Sequence, residues 1–66
     1  MVKELKTNKI KGLIAEHGIT QKDLAEIIGI SEQSMNLKLK GKRQFKANEI
    51  GKIARYFDIE VDFLFN

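Results

Sequence analysis

Between Ser31 and Lys46 the chain reads SEQSMNLKLKGKRQFK, which places the side chains of Glu32, Gln33, Asn36 and Leu37 just ahead of five cations. If this stretch opens as a helix, Met35 and Leu39, four apart, take its inner face. Glu32, Gln33, Asn36 and Leu37 are then left outside at spacings of three and four. A carboxamide offers a donor and an acceptor in one plane and suits the edge of a base. A carboxylate can accept from a cytosine amino group, although Glu32 serves equally as a helix-start charge, and an apolar side chain can meet a thymine methyl group. The cations Lys38, Lys40, Lys42, Arg43 and Lys46 form a block with no acid inside it, which points to a polyanion. Such charges, placed directly after an exposed helix, fit phosphate contacts that orient while the helix reads sequence.

That chemistry needs a helix held clear of the body, and the flanking sequence predicts one. Ile10, Leu13 and Ile14 recur at helical spacing after the candidate caps Thr7 and Asn8, and Gly18 offers a stop, so a first helix is expected over roughly 8–17. His17 continues its inner stripe and is expected to be a partly buried helix-end histidine. Thr20 caps a second helix over 21–28, with Asp23 favouring the exposed amides and Leu24, Ala25, Ile27 and Ile28 forming its apolar face. Gly29 turns the chain, Ile30 staples the approach, and Ser31 caps a third helix over 32–40 that ends at Gly41. Small Ser34 permits close contact with Ala25.

Beyond the basic loop, in which Phe45 should plug inward, the stripe Ile50, Ile53, Ala54 and Phe57 predicts a fourth helix over 47–57. Glu49 near its start and Arg55 near its end both favour the helix dipole, and Asp58 takes the stop position. Val61, Leu64 and Phe63 belong to a short last helix over 61–65, able to close the core or to meet a second subunit. Val2 and Leu5, within an N-terminal arm over 1–7, should pack beneath the core. Gly12 and Gly51 fall inside helices, where close helix approach is one explanation for them. The pattern as a whole is all-α, with short connections and no proline.

Size and composition narrow the classes further. A chain of 66 residues is expected to be one domain, 1–66, and to bury only roughly 60% of the surface its unfolded chain exposes. No cysteine and one histidine leave neither a disulfide nor a metal cluster, so no metal or other cofactor is expected and a reducing cytoplasm suits the chain. No apolar run reaches the roughly 18 residues of a membrane span, and the start lacks the apolar segment of an export signal. Paired carboxylates with a pocket, a nucleophile with its base and a phosphate-cradling glycine loop are all missing, so no catalytic residue, enzyme activity or small-molecule substrate is expected. Net charge is only +3, because Asp58, Glu60 and Asp62 make the tail acidic.

The segment TQKDLAEIIGIS, followed by KLKGKRQFKANEI and IARYFDIEVDFLF, resembles the XRE family of phage Cro and repressor-type helix-turn-helix domains over roughly residues 8–65. The resemblance implies a compact five-helix fold in which Gln21 binds a backbone phosphate and helps orient the third helix. It implies too that Glu32, Gln33, Asn36 and Leu37 face the bases while Lys38, Lys40, Lys42, Arg43 and Lys46 hold phosphates at the groove edge. Two positions depart from the family pattern. Leu37 stands where many relatives carry a polar reader, which suits it to a thymine methyl group or to a protein interface. Lys46 replaces a common hydroxyl cap, with Asn48 as the alternative. The expected function is a sequence-specific double-stranded DNA-binding transcriptional regulator, a small prophage or bacterial repressor acting as a homodimer on a palindromic operator. No ligand-sensing part is expected, so regulation would come from protein concentration, competition or a partner protein. The alternative is a protein-interaction module, such as an antitoxin or a repressor-modulating protein, supported by Leu37 and the FLF tail.

Overall fold

A computed structural model describes residues 4–66, and all of its regular structure is helical. The elements are α1 Thr7–Glu16, α2 Gln21–Ile28, α3 Glu32–Leu39, α4 Ala47–Phe57 and a closing 3-10 turn, Val61–Phe65. Val2 lies outside the described residues.

Helices α2 and α3 start where local chemistry tells them to. Thr20 Oγ1 accepts from the Asp23 N–H at 3.0 Å while Asp23 Oδ2 accepts from the Thr20 N–H at 2.9 Å, a complete capping box. Ser31 Oγ likewise accepts from the Ser34 N–H at 3.0 Å. Between them Gly29 sits at φ 83°, a left-handed conformation costly for any residue with a Cβ, and this lets the Ile30 N–H return to the Ala25 carbonyl at 2.9 Å.

Helix α1 begins one residue earlier than the hydroxyl caps predicted. Lys6 holds the N-cap position with no side-chain cap, and its own N–H is donated to the Leu64 carbonyl at 2.7 Å. A tether to the other end of the chain therefore sets this start. The last element is a five-residue 3-10 turn. Its carbonyls turn toward α1, with Leu64 O taken by the Lys6 N–H and Phe63 O by Lys9 Nζ at 3.0 Å. A segment this short has no stable α-helical nucleus of its own.

The core joins every element: Ile10, Leu13 and Ile14 from α1, Leu24, Ala25 and Ile28 from α2, Met35 and Leu39 from α3, Phe45 from the loop, Ile53 and Phe57 from α4, and Leu64. Helix α2 packs on α3 and α4, and α1 on α3 and the 3-10 turn. Leu5 packs against this core as expected, and Leu64 closes it while Val61 and Phe63 stay outside. Two inward assignments are corrected. Ile27 lies at the edge of its stripe and is 38% exposed. His17 is exposed too, because it caps α1 one residue past the helix and lays its ring edge-on against Phe57, centroids 4.8 Å apart.

Close helix approach does not account for Gly12 or Gly51, since a Cβ built on either meets nothing within 4 Å. Gly12→Ala is accordingly expected to stabilise the fold by about 1 kcal/mol, raising the midpoint of thermal unfolding by roughly 4–8 °C. An unchanged or lower midpoint would show that the open space around Gly12 is needed.

Candidate nucleic-acid interface

Capping at Thr20 and Ser31 and the left-handed turn at Gly29 hold α3 across α2 with one flank turned to solvent. Gln21, from the first turn of α2, and Glu32, Gln33, Asn36 and Leu37, from α3, together line one open depression. These are all the side chains expected to face bases, together with the one expected to orient them. Glu32 and Gln33 are exposed at the start of α3, whereas Gln21, Asn36 and Leu37 are half-buried at the floor. Asn36 Nδ2 approaches Gln21 Oε1 at 3.5 Å, at the outer limit of a hydrogen bond, so the two amides are aligned while retaining donors and acceptors for a ligand. The Thr20 N–H, and after it the Thr20 hydroxyl, hold the Asp23 carboxyl below its ordinary range, so the α2 cap stays charged.

Four of the five cations expected at phosphates are exposed. Lys40, Lys42, Arg43 and Lys46 are exposed on or next to the loop after α3. The loop leaves α3 through a turn closed by the Lys42 N–H on the Leu37 carbonyl at 2.9 Å, with Gly41 at φ 80°. It is pinned to the core through Phe45.

Lys38 does not join them. It is 7% exposed, and its ammonium meets Glu49 Oε1 at 2.6 Å inside the junction of α3 and α4. The reason is geometric: Met35, Lys38 and Leu39 stand at i, i+3 and i+4, so Lys38 shares the inner stripe of α3. Its stem covers apolar surface and its charge lies 5.9 Å from the centre of the Phe45 ring. That spacing was present in the sequence, and an acid at the third position of α4 was its available partner.

Glu49, which sequence reasoning assigned only to the helix dipole, also accepts from the Lys46 N–H at 2.9 Å. Lys46 is thus the N-cap residue of α4, in place of Asn48, and the cap is one-sided, because a lysine side chain has no acceptor to return. Burial by itself would raise the Glu49 carboxyl, but the hydrogen bonds from Lys38 and the Lys46 N–H outweigh it and hold the group below its ordinary value.

Among the described residues no group of three His, Cys, Asp or Glu side chains is arranged to hold a metal ion, and no helix is long and apolar enough to cross a membrane.

Comparison with known proteins agrees with this geometry. The family model for Cro/C1-type HTH DNA-binding domains matches residues 9–65. A curated relative from Methanocaldococcus jannaschii, named as an uncharacterized HTH-type transcriptional regulator, is 36% identical over 58 residues, which is 88% of either chain. No solved structure matches the chain.

Proposed function

The chain belongs to the Cro/C1-type helix-turn-helix DNA-binding family, and on that footing we propose that it is a transcriptional regulator that represses by occupying a two-fold related operator as a homodimer. One observation carries the reading: Gln21, Glu32, Gln33, Asn36 and Leu37 line a single open depression beside the exposed cations of the following loop. In the proposed complex, Gln33 and Asn36 pair with base edges and Leu37 meets a thymine methyl group. Gln21, Lys40, Lys42, Arg43 and Lys46 hold phosphates on either side.

Size favours two copies. Helix α3 has eight residues, so it is about 12 Å long and passes only three or four base steps, too few for selective binding by one chain. Two copies reading half-sites about one helical turn apart, roughly 34 Å, double the sequence read. The half-exposed Val61 and Phe63, on the turn that closes the core, support the tail as the interface. Occupancy alone excludes polymerase, so this reading requires no catalysis and no cofactor, and it places the protein in the cytoplasm.

The test begins with duplexes selected by the protein from a random pool, with affinity measured by anisotropy at 50 and 200 mM salt. Gln33→Ala or Asn36→Ala is expected to lose about 1–3 kcal/mol on the selected site and little on random duplex. Arg43→Ala should weaken binding to every sequence and reduce the salt slope by about 1. Saturation at two chains per selected duplex is expected, and one chain per duplex refutes the dimer. Absence of salt-sensitive duplex binding, with a stoichiometric protein partner captured instead, would replace this reading by that of a protein-interaction module.

A further inference from the structure

The block of cations from Lys38 to Lys46 folds against a buried negative charge. Glu49 lies at the third position of α4, is 5% exposed, and its Oε1 receives two donors from opposite ends of the basic segment: Lys38 Nζ at 2.6 Å and the Lys46 N–H at 2.9 Å. Between those anchors run Lys40, Lys42 and Arg43, all exposed. The near end of this loop is fixed to α3 by backbone bonds, Gly41 N–H to Lys38 O at 3.1 Å and Lys42 N–H to Leu37 O at 2.9 Å. At its far end the Lys46 carbonyl accepts from the Ile50 N–H at 3.0 Å, which fixes Lys46 to α4 but not to α3. Among the described residues the turn from Arg43 to Phe45 makes no backbone bond of its own, and the burial of Phe45 and the Glu49 carboxylate at Lys46 hold it.

We propose that Glu49 is a positioning residue for DNA binding: its carboxylate ties the far end of the basic loop to the reading helix, so that Lys40, Lys42, Arg43 and Lys46 meet the backbone in fixed register with Gln33 and Asn36. This rests on the DNA-binding reading above and adds to it a group that never touches the nucleic acid. An ordered loop matters because a flexible cation must lose its freedom on binding, and that loss offsets part of each phosphate contact. Lys38 belongs to the same device. Its charge offsets that of Glu49 and holds it in place, and α3 is thereby joined to α4 at the end from which the loop departs.

The rival use of these residues is that Lys38 is a phosphate ligand held back by Glu49 and released on contact with DNA. Magnitudes oppose it. Withdrawing Lys38 leaves a buried carboxylate without its ammonium, which disfavours a conformation by about a hundred- to several-thousand-fold. An exposed ion pair at the groove edge returns less than about tenfold.

The two uses predict opposite signs for one substitution. Glu49→Gln raises the net charge of the chain by one, so simple attraction to a polyanion, or release of Lys38, makes binding tighter. Loss of positioning makes it weaker. We expect roughly tenfold weaker binding to selected and random duplexes alike, and a salt slope lower by about one phosphate. Amide exchange at Lys46, followed by NMR on the free protein, should become faster, together with exchange through residues 42–45. Tighter binding, or unchanged affinity with an unchanged salt slope, overturns the proposal.

Should Glu49→Gln unfold, the double variant Lys38→Met with Glu49→Leu decides, since apolar replacement of a buried ion pair commonly preserves a fold. It should fold, bind more weakly and expose the Lys46 amide, and binding equal to the parent overturns the positioning role. Failure of the DNA-binding reading looks different. There the parent itself binds no duplex, whereas here the parent binds and only the response of the Glu49 variants is wrong.

Discussion

Leu24→Ala is expected to remove about 2–5 kcal/mol of stability and to leave much of the protein unfolded at 37 °C. Leu24 is wholly inaccessible and projects from α2 into the cluster shared with α3 and α4. Its truncation loses the transfer energy of the buried methyl groups and opens a cavity in a core with few layers to collapse into it. Stability of about 0.05–0.15 kcal/mol per residue gives roughly 3–10 kcal/mol for 66 residues, so the loss is about a fifth of the total or more. Ile27→Ala, three residues along the same helix, provides the control: at 38% exposure it should cost less than about 1 kcal/mol. Urea unfolding of both variants measures the difference. Equal losses would mean that α2 is rotated from the orientation described, and the depression shared by Gln21 and Asn36 would move with it.

That pair of leucine and isoleucine also marks how far the sequence could be read. Wherever a signal is local, it was legible: the capping box of Thr20 and Asp23, the left-handed glycine between α2 and α3, the Ser31 cap and the inward Met35 and Leu39. These depend on bonds and spacings that close within about five residues, so their meaning does not change with the rest of the fold. Helical periodicity marks a stripe but not its edges, and for that reason Ile27 and His17 were both placed too deep. The start of α1 and the 3-10 form of the last turn were hidden for a different cause. The first depends on the Lys6 N–H reaching Leu64 O, a contact between opposite ends of the chain that no spacing announces, and the second on a segment too short to nucleate an α-helix.

The interface shows the same division. All five side chains expected at or beside the bases do come together, because α2 and α3 are fixed by local caps and one tight turn. Lys38 departs from the expected cation row because its spacing, and not its charge, decides where it lies. A lysine among lysines looks solvated, yet its place three after Met35 and one before Leu39 puts it on the buried side. Its partner is 11 residues away across a loop, and only the packing of α4 on the core brings them to 2.6 Å. Counting cations therefore overstates the exposed positive charge of this segment by one.

Lys38→Met should be among the most damaging single changes at this surface, and its effect should depend on pH in the opposite sense to the parent. In the parent, Glu49 is held below its ordinary value in the folded state, so the stability it contributes is complete above the unfolded-chain value of about 4.3 and is lost as pH falls through the lowered folded value. Asp23, lowered by its bonds to Thr20, acts in the same direction. Without Lys38 the carboxylate keeps the Lys46 N–H but loses its ammonium, and burial, which already opposes ionisation in the parent, then prevails. Its folded value rises above that of the unfolded chain. Stability from this group is then greatest below about pH 4.3 and declines as pH rises through the raised value, leaving a deficit of about 3–5 kcal/mol at neutral pH. Urea midpoints measured from pH 3 to 7 should accordingly climb with pH in the parent and climb less, or fall, in Lys38→Met, while Lys38→Met with Glu49→Leu recovers most of the neutral-pH loss. A single variant whose midpoints track the parent at a constant offset would mean that Glu49 becomes solvated when Lys38 is gone.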